Sequence, residues 1–230
     1  MDTIGWTNYG KFMEGDYHKT NLLYTPKMNI SKDILCMSWD INDPYQYDIM
    51  GNKRAGLTDQ LMSFFFSREV ENINVFKSYK WSPNYLEIDN ENKKIFFEWN
   101  TETCNDIINK GQSLSDRCPD WKSQLHAILN DIVDAGYYKM SLYPHCFFID
   151  KHGVLKTFDF YACVESENPF LEKTKLEGMM GNDSNARFIE AQEGKYINFE
   201  LFFKQAIKKH IIWPEDALAS FYKVKFNEQI

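Results

Sequence analysis

Lys139, Ser141, His145, Cys146, Asp150 and Asp159 gather chemistry-capable groups into one short stretch of the chain. His145 is the one side chain among them suited to general base work near neutral pH. Its neighbour Cys146 raises the prospect of a Cys–His nucleophilic pair. Neighbours on an extended segment point to opposite sides, however, so we expect His145 to pack under the loop as a structural residue. The Ser141 hydroxyl carries no charge and is a poor base. Lys139 is expected to be structural, or else to meet a phosphate. Asp159 follows an apolar strand, where a carboxylate can cap or hydrogen-bond a loop.

Pattern and punctuation indicate which elements must position these groups. Residues 20–25 and 33–39 are short β-prone runs, with 26–32 as a hairpin loop between them, and 40–56 is loop. A helix capped by Thr58 runs to about Lys77, with Leu61, Phe65, Glu69, Asn72 and Phe76 near one stripe. Residues 85–89 and 93–99 form two strands. Pro119-Asp120-Trp121 opens an amphipathic helix that buries Trp121, Leu125, Ile128, Leu129, Ile132 and Val133, and Gly136 supplies a left-handed C-terminal cap. Residues 147–149 and 154–158 pair around Asp150-Lys151-His152-Gly153. Asn198 caps a helix through Ile207, and Pro214 opens a final one toward Tyr222.

Composition bounds the function. The 230 residues are 43% hydrophobic and 16% aromatic, enough for one domain or two small lobes. A formal charge of −7 argues against a nucleic-acid grip. Lys204, Lys208 and Lys209 align at helical spacing, which we take as a solvated face rather than a partner site. The absence of a long apolar run and of a signal-peptide pattern predicts neither membrane span nor export, hence a cytoplasmic protein. Five widely spaced cysteines with no C-x-x-C pair are expected to be reduced thiols, not a zinc cluster.

Gly136-Tyr137-Tyr138-Lys139-Met140-Ser141-Leu142-Tyr143-Pro144-His145-Cys146, followed by Asp150, Gly153 and Asp159-Phe160-Tyr161, resembles the catalytic segment of a protein kinase. In that register Leu142, Pro144, Asp150, Gly153, Asp159 and Phe160 match the family pattern. Lys139 takes the place of its His, Ser141 of its catalytic Asp and Cys146 of its metal-binding Asn. The resemblance spans roughly residues 4–165 and implies an α+β, bilobal protein-kinase-like fold. Residues 1–99 would form a small β-rich N-lobe and 100–230 a reduced helical C-lobe lacking A-P-E. So compact an architecture suggests a viral or phage source.

The resemblance implies roles upstream as well. Gly5 and Gly10 match two of three glycines in a phosphate loop, and Glu69 matches the helix Glu that pairs with a strand Lys. Glu69 reads equally well as an exposed helix charge. The strand Lys is either Lys27 or missing, with Met37 or Ser38 in its place. Glu98 and Trp99 would form the hinge that meets an adenine edge. Asp159 remains as the one metal ligand, so ATP or ADP with Mg²⁺ is an implied cofactor, or none at all. Loss of the positioned base at Ser141 costs about 10²–10⁴ in rate, and sulfur at Cys146 suits Mg²⁺ poorly. The resemblance therefore implies a pseudokinase, a nucleotide- or protein-binding regulatory module with a protein partner.

Two alternatives stand beside it. One is an active, atypical ATP-dependent phosphotransferase or nucleotidyl transferase that recruits Asp159, Glu69, His145 or Lys139. The other is an interaction protein whose pocket is filled by Tyr143, Phe147 and Tyr161.

Overall fold

The computed structural model describes residues 7–8, 27–31, 33–39, 59–99, 101–165, 167–169, 196–198, 200, 203–204, 207 and 213–228. The fold is mixed α/β with small sheets, and the chain divides into two compact units. The first comprises residues 1–75, 84–100 and 170–193, and the second 76–83, 101–169 and 194–230.

A five-stranded antiparallel sheet builds the first unit. Its strands are β1 (Thr7–Asn8), β2 (Lys27–Ser31), β3 (Ile34–Ser38), β4 (Tyr85–Asp89) and β5 (Lys94–Glu98), in the order β1-β2-β3-β5-β4. Central β3 buries Leu35, Cys36 and Met37 in succession, as a strand covered on both faces must. In β5 only Ile95 and Phe97 are fully buried, which gives the period of two. β4 forms an edge and leaves Leu86 half exposed.

Residues 26–32, expected to be a hairpin loop, instead contain the strand Lys27–Ser31. Pro26 directly precedes it and so removes no ladder donor from β2, and the reversal narrows to the two residues between β2 and β3. The expected strand at 20–25 and loop at 40–56 fall outside the described residues. Helix α1 (Asp59–Phe76) follows the expected stripe: Phe65, Glu69 and Asn72 are buried, with Met62, Phe66 and Ile73 beside them. Trp39 meets Phe66 edge-on, with ring centroids 5.6 Å apart, so sheet and helix share an aromatic core.

The second unit is organised around α3 (Trp121–Asp134). It buries Trp121, Leu125, Ile128, Leu129 and Ile132, while Val133 is only partly covered. Gly136 sits just past its end at φ 85°, the conformation a C-terminal cap requires. Strand β6 (Tyr137–Lys139) pairs antiparallel with β9 (Cys163–Glu165), and β7 (Phe147–Ile149) with β8 (Leu155–Thr157). Asp150 Oδ1 closes the β7–β8 turn by accepting the amides of His152 (2.8 Å) and Val154 (3.0 Å).

Helix α2 (Cys104–Asn109) was not foreseen. Thr103 and Asp106 form its capping box: the Asp106 amide donates to Thr103 Oγ1, and the Thr103 amide donates to Asp106 Oδ2. Strand β10 (Glu167–Pro169) pairs with β11 (Tyr196–Asn198), so Asn198 ends a strand, and residues 200, 203, 204 and 207 beyond it are helical. Pro214 opens a 3₁₀ turn (Pro214–Asp216) before α4 (Ala217–Phe226). Lys204 is paired with Glu200 (3.0 Å) and Glu228 (2.8 Å), and Lys208 and Lys209 lie outside the described residues.

Glu102 bridges Lys110 and Arg117 beside α2. The Lys110 hydrogen bond holds its carboxyl below the usual value of 4.5. A depressed carboxylate contributes stability above its unfolded pKa and loses it as pH falls through the folded one. Because all three side chains are partly exposed, Glu102→Gln is expected to cost only about 0.5 kcal/mol at pH 7. The gap should close below pH 4 in denaturant titrations. An equal gap at pH 3 and pH 7 would exclude the ion pairs as its source.

Candidate functional site

The chemistry-bearing residues of the 139–159 stretch converge because four local features fold it back on itself. Lys139 ends β6 opposite Cys163, and the Met140 amide donates to the Ala162 carbonyl at 2.9 Å. Pro144 then fixes φ at the start of a 3₁₀ turn, Pro144–Cys146, which the Cys146 amide closes onto the Tyr143 carbonyl at 2.8 Å. The Cys146 carbonyl accepts from the Phe158 amide (3.2 Å) and from Thr157 Oγ1 (2.9 Å), which binds the turn to the end of β8. Finally, Asp159 takes a left-handed conformation at φ 65° and ψ 51°, directing the chain into the 3₁₀ turn Phe160–Ala162. Asp tolerates that conformation better than most residues.

A chain of contacts results. Ser141 Oγ lies 2.9 Å from Cys146 Sγ, and the Cys146 thiol donates to Asp159 Oδ2 at 3.1 Å. A thiol has one proton, so the Ser141 hydroxyl donates to the sulfur. All three side chains are buried: Ser141 is 6% exposed, Cys146 0% and Asp159 1%. Fully buried Lys139 reaches the same place, its Nζ donating to the carbonyls of Phe158 (2.6 Å) and Asp159 (3.1 Å). Its ammonium also lies 5.8 Å from the Phe147 ring centroid and 5.6 Å from that of Phe160.

Burial pushes the Cys146 thiol well up, and the charge of Asp159 adds to this. Burial also raises Asp159, opposed by the Lys139 charge and the Cys146 hydrogen bond. A protonated, buried thiol is inert as a nucleophile. Asp159 Oδ1 is buried and has no hydrogen-bond partner among the described residues.

His145 is 7% exposed and stacks on Tyr143, with centroids 5.1 Å apart and planes 11° from parallel. The expectation that His145 and Cys146 point to opposite sides does not hold. They lie in a 3₁₀ turn rather than an extended segment, and one ligand atom from each of His145, Cys146 and Asp159 falls within 4.8 Å of the others. None of the five cysteines forms a disulfide, and all are buried thiols.

The remaining candidates lie in the first unit. Gly5 and Gly10 are outside the described residues. Lys27 begins β2 opposite Ser38, while Met37 and Ser38 are both buried. Glu69 is 1% exposed, so the exposed-charge reading of it does not hold. Glu98 is exposed and Trp99 buried. Their amides are engaged locally, Glu98 with the Asn84 carbonyl (2.9 Å) and Trp99 with the Asp33 carbonyl (2.6 Å). Among the described residues no helix is long and apolar enough to cross a membrane.

No protein-family model matches the chain, and no curated protein matches it. Among solved structures, one described as the bifunctional kinase-methyltransferase WbdD is similar at 15% identity and a TM-score of 0.49, covering 98% of this chain and 47% of that one. Monomeric WbdD is similar at 13% identity and a TM-score of 0.47, covering 88% and 48%. A third, WbdD with its C-terminal bundle ordered, gives 16% and 0.47, covering 96% and 45%. The chain spans about half the length of the WbdD chains it matches.

Proposed function

We propose that this chain is a catalytically silent protein-kinase-like module, a nucleotide- or protein-binding regulator. The observation that carries the reading is the closed Ser141–Cys146–Asp159 chain. In the family's catalytic segment the position of Ser141 holds the Asp that accepts the substrate proton, and that of Cys146 holds a metal-binding Asn. Here Ser141 gives its hydroxyl proton to sulfur, Cys146 gives its thiol proton to Asp159, and burial raises the pKa of both the thiol and the carboxyl. None of these three buried side chains is placed to take a proton from a substrate.

Mg²⁺ prefers oxygen ligands in near-octahedral geometry and keeps several waters. One buried carboxylate beside a thiol and an imidazole does not fit that ion, so this loop supports no Mg²⁺-assisted step. The five-stranded sheet with α1 would be the small lobe of a bilobal fold, and the second unit its reduced helical lobe. Regulation would then work through a protein partner rather than through turnover.

Incubation with γ-labelled ATP and Mg²⁺ or Mn²⁺ should transfer no phosphate to the chain itself or to a generic acceptor protein. Any stabilisation by ATP or ADP in a thermal shift should be the same without divalent ions. Ligand at about 100 times its dissociation constant adds ~2.7 kcal/mol, a shift of several degrees and easily read. Phosphate transfer that is lost in Asp159→Ala would overturn the reading in favour of an active enzyme.

A further inference from the structure

From the donor geometry we infer that His145, Cys146 and Asp159 form a buried binding site for a borderline-soft divalent cation of the Zn²⁺ type. This goes beyond the proposed function and holds whether or not the module is silent. Three observations support it. The three side chains come from one 3₁₀ turn and the second residue after β8, so backbone hydrogen bonds fix their spacing, and their ligand atoms lie within 4.8 Å of one another. Ligands of a tetrahedral zinc, at about 2.0–2.3 Å from the metal, stand roughly 3.5 Å apart. The Cys146–Asp159 pair, at 3.1 Å, is already near that spacing. The widest pair needs to close by roughly 1 Å.

The second observation is Asp159 Oδ1, buried and with no hydrogen-bond partner among the described residues. A buried acceptor left unsatisfied is costly, and an ion held at this carboxylate would satisfy it. The third is donor chemistry. One sulfur, one imidazole nitrogen and one carboxylate oxygen suit Zn²⁺ or Co²⁺ and disfavour Mg²⁺ and Ca²⁺, which take oxygen. Three protein donors leave one tetrahedral position for water.

Uptake balances simply. The Cys146 S–H bond breaks, a sulfur–metal bond forms, and one proton passes to solvent. The Ser141 hydroxyl, already bonded to that sulfur, stays as donor to the thiolate and tunes the ligand from behind. The ligands are widely separated from the C-x-x-C spacing by which zinc sites are usually recognised, and the set closes only through the fold.

The test is a Co²⁺ titration of the full chain after removal of metal by chelation, followed by Zn²⁺ displacement. One equivalent should bind with the absorption of a tetrahedral, thiolate-ligated Co²⁺, and a hundredfold excess of Mg²⁺ should not displace it. Outer residues alone typically change metal affinity 10–100-fold. Loss of a direct ligand in Cys146→Ala should therefore weaken binding at least about 100-fold, while Cys36→Ala leaves it unchanged. X-ray absorption on the unmodified zinc-loaded protein gives a readout that needs no variant. One sulfur among nitrogen and oxygen neighbours is expected. No stoichiometric binding, two or more sulfurs, or full affinity retained in Cys146→Ala would each overturn the site.

Discussion

Lys139→Met is expected to lower the unfolding free energy by about 3–5 kcal/mol, the cost of stripping one partner from a buried charged arrangement. The methionine keeps most of the volume, so little of the loss comes from packing. What disappears is the ammonium that holds the Phe158 and Asp159 carbonyls and lowers the pKa of the fully buried Asp159. Those carbonyls would be left without that donor, and the carboxyl would lose the Lys139 charge that opposes its burial. The melting midpoint should fall by roughly 10 °C for a chain of this size. Adding Asp159→Asn removes the stranded charge, so the double variant should recover at least about 1 kcal/mol of the loss. Purely additive losses in the two variants, measured by denaturant titration, would show that the ammonium and the carboxylate do not interact.

How much of this was legible beforehand follows from the length and periodicity of each element. The helices Asp59–Phe76 and Trp121–Asp134 announce themselves through repeated apolar positions, and β4, β5 and the β7–β8 hairpin through short alternations between turn residues. Helix α2 has six residues and little periodicity, and its one signal is Thr103 three residues before Asp106. Strands β6 and β9, at three residues each, are fixed by tertiary pairing and carry no pattern of their own. β2 was hidden by a proline that lies just outside it rather than within it.

The candidate site was legible as a set of positions but not as a shape. Lys139, Ser141, Cys146 and Asp159 could be singled out by register, and the structure joins them in one hydrogen-bonded set that ends at Asp159. His145 is buried as expected, but its orientation relative to Cys146 was misjudged because period-two reasoning was applied to a segment that is not extended. Pro144 was the available signal: with φ fixed it favours a turn, and in a 3₁₀ turn adjacent side chains need not oppose each other. The left-handed backbone at Asp159 had no sequence signal beyond the residue type.

Trp213→Ala should be comparably damaging, at about 3–5 kcal/mol, because the indole buttresses the same loop. Trp213 is 3% exposed, stacks on Trp121 with centroids 5.8 Å apart, and meets Phe147 edge-on at 5.2 Å. Its Nε1 donates to the Leu142 carbonyl at 2.7 Å, one residue beyond Ser141. Trp213→Phe separates the two contributions. It keeps most of the aromatic packing and leaves the Leu142 carbonyl without its donor, a loss of about 1–3 kcal/mol. If that hydrogen bond pins the loop, amide exchange at Cys146, whose N–H closes the 3₁₀ turn, should accelerate more than exchange at Leu129 in the middle of α3. Uniform acceleration at both amides would mean that Trp213 stabilises the whole unit and does not hold the loop in particular.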